Sequence, residues 1–331
     1  MRVARPNVYV ALPLPDQSIE RILAACEVTR YDRRGQPSRQ ELIDAIAAAD
    51  GLLGSAMLPV DADVLASASR LRVVSNFGVG FDGVDVAAAT RLGILVCNTP
   101  GVLSDAVADL TMSLIVALAR RLPEAERFVR EGRWLPGQGV RLGSDLRGKR
   151  LGVVGLGRIG REVAQRARSF GMHVCFYDVL RQQEEELAFC TYQDLDDLLR
   201  ESDFVSLHVN LTEETRHLIS TRELSLMKPS ASLINTARGQ IVDQPALVEA
   251  LREERIAGAA LDVLEQEPPA PDEPLLQLEN VIVLPHVGSA TVETRRAMLE
   301  LAIDNLLTAL RGETPQCVVN PEALAARRDA S

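Results

Sequence analysis

The chain has 331 residues, enough for two domains that each bury a core of their own. Its 47% hydrophobic and 25% charged residues match a soluble globular protein, and a formal net charge of −10 argues against nucleic acid or an anionic membrane as the main partner. Five scattered cysteines, never spaced as CxxC, fit a reducing cytoplasm better than a disulfide framework or a metal site, and no signal peptide or membrane-length apolar run is read.

In chain order, residues 8–12 read as a strand and 16–26 as a helix whose apolar Ile19, Ile22, Leu23 and Cys26 recur at helical spacing. A helix at 41–49, a strand at 51–54, a helix at 64–69 and strands at 71–75 and 94–97 follow. Short apolar runs alternating with amphipathic ones imply a parallel sheet covered on both faces, ending near the turn-rich 97–101. Residues 103–121 are nearly apolar all round, which predicts a helix buried in a core or against a partner chain. A charged helix at 123–132 and a loop with the only tryptophan, Trp134, come next.

The apolar run 151–154 then breaks into Gly155-Leu156-Gly157-Arg158-Ile159-Gly160. It reads as a buried strand, a tight turn and the start of a helix whose free N–H groups receive a pyrophosphate. Glycines alone serve ordinary turns as well. Here the helix at 161–170, the strand at 173–177 and Asp178 at its end, placed to accept from an adenosine ribose, tie them to a dinucleotide. Strands at 204–208, 232–236, 258–263 and 281–284, separated by helices at 194–201, 221–227 and 245–253, complete a second doubly wound sheet. A long helix at 291–311 can return over the first domain, and the tail at 321–331 is small and polar.

Open α/β sheets place ligands at the carboxyl ends of their strands, and three side chains lie there. Arg238, after the 232–236 strand, can clamp a carboxylate, although a lone Arg more often makes a surface salt bridge. His286 follows the 281–284 strand, where a lone His is more often structural; Glu267, after the 258–263 strand, is by itself one solvated acid in a charged run. Together they suit reversible reduction of a 2-oxo acid: a cation for the anion, a His to move a proton and a carboxylate to favour the protonated His.

These residues carry a resemblance. The segments Phe77-Gly78-Val79-Gly80-Phe81-Asp82, the glycine loop, Asn235-Thr236-Ala237-Arg238-Gly239, Ala260-Leu261-Asp262-Val263, Glu267-Pro268 and Leu284-Pro285-His286-Val287-Gly288-Ser289-Ala290-Thr291 are ordered and spaced as in one family. Over nearly its whole length the chain resembles the D-isomer-specific 2-hydroxyacid dehydrogenases, and most of all their glyoxylate/hydroxypyruvate reductase branch. The resemblance implies a Rossmann nucleotide-binding domain at 100–287 inserted into a discontinuous, flavodoxin-like substrate domain at 1–99 and 288–331, with a cleft between them. It further implies that the N–H groups of Val79 and Gly80 bind the substrate carboxylate beside Arg238, and that His286, paired with Glu267, is the general acid. Thr111, Val209, Thr215, Thr236, Ala237, Asp262, His286 and Gly288 match positions beside the cofactor. The helix around 110–119 is similar to the family's dimer element, and Trp134 resembles a residue that reaches a neighbouring subunit's site.

Asn210 stands where the family usually has Pro, and Gly54-Ser55-Ala56-Met57 lacks the Arg of phosphoglycerate-directed relatives, which argues against a phosphorylated substrate. Asp178 repels a 2′-phosphate and Val179-Leu180 offers it no cation, so NAD(H) is expected over NADP(H), with Arg181 near enough to admit the latter. The expected function is reduction of glyoxylate or hydroxypyruvate by a cytoplasmic homodimer. The alternatives are a 2-oxogluconate or other D-2-hydroxyacid dehydrogenase, and an NAD(H)-sensing module like the corepressors built on this fold. A methyltransferase leaves Arg238, Glu267 and His286 without a joint purpose, and a phosphite-oxidising relative would need a Lys before Gly80.

Overall fold

The computed structural model describes residues 5–180 and 187–324; Arg181, the first four residues and 325–331 of the polar tail lie outside the described residues. Its contacts divide the chain into Met1–Leu103 with Thr291–Ser331, and Ser104–Ala290. The expected division, after 99 and after 287, falls four and three residues earlier.

The first unit runs β1 (Asn7–Val10), α1 (Asp16–Ala25), β2 (Glu27–Arg30), α2 (Arg39–Ile46), β3 (Gly51–Ser55), α3 (Ala62–Ser67), β4 (Val73–Phe77), α4 (Val86–Arg91) and β5 (Leu95–Cys97). The second comprises α5 (Ser104–Ala119), α6 (Leu122–Arg130), β6 (Arg150–Val154), α7 (Arg158–Ser169), β7 (His173–Tyr177), β8 (Cys190–Tyr192), α8 (Leu195–Glu201), β9 (Phe204–Leu207), α9 (Thr221–Leu226), β10 (Ser232–Asn235), α10 (Gln244–Arg252), β11 (Gly258–Leu261) and β12 (Val281–Val283). The last helix, α11 (Val292–Leu310), rejoins the first unit.

In the first unit five parallel strands take the order β2-β1-β3-β4-β5. Both faces are covered, so neighbouring residues serve opposite cores. Tyr9, Leu52, Val74 and Val96 meet Leu42, Val64, Leu65 and Ala88 on one face. On the other, Val8, Val10, Leu53, Val73 and Leu95 meet Ile19 and Ile22 of α1 and Ala302, Ile303 and Leu306 of α11. The buried Ser75 hydroxyl donates to the Ala302 carbonyl (2.8 Å), tying α11 to β4.

In the second unit seven parallel strands are ordered β12-β11-β10-β9-β6-β7-β8. The strand order reverses between β6 and β9, where such sheets open a crevice for ligands. Leu151, Val153, Val174, Phe176, Ile234 and Ala260 pack under α5 and α7, while Val154, Val205, Leu207, Leu233 and Leu261 pack under α8, α9 and α10. The helix expected to be buried all round is buried on one side: Val107, Ala108, Thr111, Met112 and Ile115 face the core, whereas Leu110, Val116, Ala117 and Leu118 are half-buried.

Both sheets are the doubly wound parallel sheets that the periodicity predicts. Three elements escape that periodicity. Strands β2 and β8 are edge strands with no fully buried residue and so carry no apolar run, and α4 spans only six residues. Leu306 is fully buried between α11 and the first sheet, so Leu306→Ala should cost about 2–5 kcal/mol. A lowered denaturant midpoint checks it.

Candidate active site

At the end of β6 the chain turns sharply through Gly155, whose φ of 95° is a backbone conformation that favours glycine. A Cβ there would lie 2.8 Å from the His208 carbonyl and 2.9 Å from Val209 Cγ1, which places Val209 against the turn. Gly160 faces back onto the same turn, where a Cβ would meet the Gly155 carbonyl oxygen at 2.1 Å. Gly157, by contrast, would meet nothing within 4 Å, and no side chain caps α7 there. The loop is thus closed on the protein side and open above the N–H groups of α7, which fits a dinucleotide pyrophosphate. Leu156 is buried, Ile159 half-buried and Arg158 exposed at the start of α7.

Asp178 stands where expected, at the end of β7, and it has a role that periodicity does not reveal. Its Oδ2 accepts from the Leu156 N–H (2.7 Å) and its Oδ1 from the Leu180 N–H (2.8 Å). The carboxylate therefore stitches the glycine loop to the following turn. After β10, the Thr236 hydroxyl lies 3.0 Å from that of Thr111, which donates to the Val107 carbonyl, both threonines being buried. Thr215 braces its own loop, accepting from the Thr212 N–H (2.8 Å) and donating to the Asn210 carbonyl (2.6 Å).

Arg238, Glu267 and His286 follow β10, β11 and β12 in turn. His286 Nδ1 and Glu267 Oε2 are 2.7 Å apart, and Glu267 Oε1 accepts from the Leu264 N–H (3.0 Å). Burial pushes the Glu267 carboxyl up, yet the hydrogen bond and charge of His286, the Leu264 N–H and the Arg238 charge together bring it below its ordinary value. Arg238 therefore lies within electrostatic reach of the pair, its Nη1 donating to the Ala237 carbonyl (2.7 Å).

Three supports hold this arrangement, and none stood out in the sequence as a support. His286 sits at φ 55°, a left-handed conformation uncommon outside glycine. The buried Asp262 carboxylate holds the turn there, accepting from the N–H groups of Val287 and Gly288 at 2.7 Å each, while the His286 N–H donates to the Asp262 carbonyl (2.9 Å). Burial raises the Asp262 carboxyl above its ordinary value despite those two donors. The buried Asn235 side chain accepts from the Ala237 N–H (3.0 Å) and donates to the Arg238 carbonyl (2.8 Å), fixing the Arg238 turn. Gly239 presses that turn against the Glu267 loop so closely that a Cβ would lie 1.9 Å from the Leu264 carbonyl carbon. Asn235 and Gly239 are visible inside their motif, but hydrogen bonds and close approach have no periodicity.

In the first unit Val79 and Gly80 follow β4, with their carbonyls accepting from Asn98 Nδ2 (2.7 Å) and Asn76 Nδ2 (3.5 Å). Trp134 is 72% exposed, within a stretch, 131–145, that is exposed throughout. Among the described residues no group of three His, Cys, Asp or Glu side chains could hold a metal ion, and no helix is long and apolar enough to cross a membrane.

Two parallel doubly wound sheets, a glycine loop at a strand-order reversal and an Arg-Glu-His set on successive strands define a nucleotide-dependent dehydrogenase. The chain belongs to the D-isomer specific 2-hydroxyacid dehydrogenases, whose NAD binding domain model matches residues 112–288. Glyoxylate reductase of Korarchaeum cryptofilum is 46% identical over 98% of both chains, and glyoxylate reductase of Thermofilum pendens is 46% identical over 98% of this chain and 97% of its own. Among solved structures, the NADPH-dependent glyoxylate/hydroxypyruvate reductase of Sinorhizobium meliloti, in complex with NADP and malonate, is 36% identical. It covers 97% of this chain and 98% of its own at a TM-score of 0.86.

The lowered Glu267 carboxyl has a consequence for stability. A carboxyl held below its unfolded value contributes stability in full above the ordinary glutamate value of 4.5, and loses it as pH falls from there through the folded value. The stability gap between the parent and Glu267→Gln should therefore shrink as pH falls below about 5. Urea titrations of both proteins across that range check this; a gap that does not move with pH would contradict it.

Proposed function

We propose that the protein is a D-2-hydroxyacid dehydrogenase that reduces glyoxylate or hydroxypyruvate. The observation that carries this reading is the His286–Glu267 pair at 2.7 Å with Arg238 in electrostatic reach, beside a loop that fits a dinucleotide. The names of the full-length relatives support the same substrates.

A bound nicotinamide supplies the hydride for reduction. The N–H groups of Val79 and Gly80 hold the substrate carboxylate, and Arg238 polarises the carbonyl that is reduced. Glu267 engages His286 Nδ1, which leaves Nε2 as the proton donor to the carbonyl oxygen; in the oxidative direction the same nitrogen takes the proton back. The buried hydroxyls of Thr111 and Thr236 line the cofactor side with Ala237 and Gly288. Asp178, with acceptor capacity left beyond its two backbone bonds, would hold the adenosine ribose.

NADH is the preferred cofactor. With both oxygens engaged by backbone N–H groups, Asp178 has a fixed orientation and resists a 2′-phosphate, and the exposed Val179 and Leu180 add no compensating cation. The working form is a homodimer, supported by α6, which buries no residue in its own chain, and by the apolar depression among Met112, Val116, Leu122 and Phe170. Trp134 serves the neighbouring subunit. Five scattered cysteines, never spaced as CxxC, support a reducing, cytoplasmic setting.

Steady-state kinetics over a panel of 2-oxo acids should give the highest kcat/KM with glyoxylate or hydroxypyruvate, and at least about tenfold higher kcat/KM with NADH than with NADPH. A clear preference for 2-oxogluconate would shift the substrate assignment, and preference for NADPH would overturn the role of Asp178. His286→Ala should lower kcat by about 10²-fold or more. Near-normal turnover in that variant would exclude His286 as the proton donor.

A further inference from the structure

The loop after β4 in the first unit is fixed in an unusual way. In a trans peptide the carbonyl and the next residue's N–H point in opposite directions, so pinning one orients the other. The Gly78 carbonyl accepts from the Thr99 N–H (2.9 Å), which turns the Val79 N–H outward. The Val79 carbonyl accepts from Asn98 Nδ2 (2.7 Å), which turns the Gly80 N–H outward. Among the described residues nothing accepts from the N–H of Val79 or of Gly80.

The same logic continues one layer deeper. The Asn98 carbonyl accepts from Asn305 Nδ2 (3.1 Å), which orients the Thr99 N–H that holds Gly78. Asn305 is fully buried on α11, and its Oδ1 accepts from the Cys317 N–H (3.2 Å). A buried polar side chain is costly unless satisfied, and here each end of the amide is used.

We propose that Asn98 and Asn305 are positioning residues for substrate carboxylate binding. Asn305 sets the Asn98 peptide, and Asn98 sets the two peptides whose N–H groups form a preorganised, uncharged anion cradle. The inference rests on the proposed reduction of a 2-oxo acid and adds to it the residues that aim the carboxylate. Because Asn98 acts on ground state and transition state alike, its loss should appear mainly in KM.

Kinetics with glyoxylate and calorimetry with oxalate, a dicarboxylate that is not reduced, test this on the full chain with NADH present. Asn98→Ala should raise the KM for glyoxylate and the Kd for oxalate about tenfold, with kcat within about threefold and the KM for NADH unchanged. Asn98→Asp, which turns an oxygen toward the Val79 carbonyl, should be worse in both. Unchanged glyoxylate KM and oxalate Kd in Asn98→Ala would overturn the proposal. So would a proportional loss of kcat and both KM values together with a lowered Tm, the mark of general structural damage. A parent protein that turns over no 2-oxo acid sinks the functional reading; an active parent with an indifferent Asn98→Ala sinks only the asparagine relay.

Discussion

The Asp262 carboxylate, buried at the end of β11, accepts from two consecutive N–H groups after β12, and the chemical pair depends on that grip. His286 would not hold a left-handed backbone without it, because few non-glycine residues stay there unaided. Held this way, the imidazole meets Glu267 on Nδ1. The raised Asp262 and lowered Glu267 carboxyls show two acids a few residues apart in opposite electrostatic settings. At Asp262 burial outweighs the two N–H donors, whereas at Glu267 the hydrogen bonds and charges around the carboxyl together outweigh burial.

Glu267, Arg238 and His286 are positioned by contacts rather than by their own loops. Asn235 shapes the turn that carries Arg238, and Gly239 brings that turn into van der Waals contact with the backbone of Leu264 and Glu265. Any larger side chain at 239 would wedge the two loops apart. The arginine and the carboxylate are therefore coupled by packing as well as by charge.

Much of this was legible in the sequence, and what was not has a physical pattern. Buried strands such as Val73–Phe77 and Gly258–Leu261 announce themselves because both faces need apolar side chains. The edge strands Glu27–Arg30 and Cys190–Tyr192 do not, since little of them is buried. Arg238, Glu267, His286 and the glycine loop could be named from strand ends and motifs. The roles of Asp262, Asn235, Asn98 and Asn305 could not, because an amide or carboxylate that satisfies backbone groups tens or hundreds of positions away leaves no local pattern. Asp178 lies between these cases: its place at a strand end was readable, whereas its two backbone bonds were not.

The strand order of the second sheet carries an implication for altering the protein. Asp178 follows β7, while Arg238, Glu267 and His286 follow β10, β11 and β12, and β6 and β9 intervene. At about 4.8 Å per strand, β7 and β10 lie about 14 Å apart across the sheet. The exposed Val179–Leu180 turn can therefore be rewritten without disturbing the His286–Glu267 pair. The two ends of the sheet are separate modules on one scaffold, free to diversify independently.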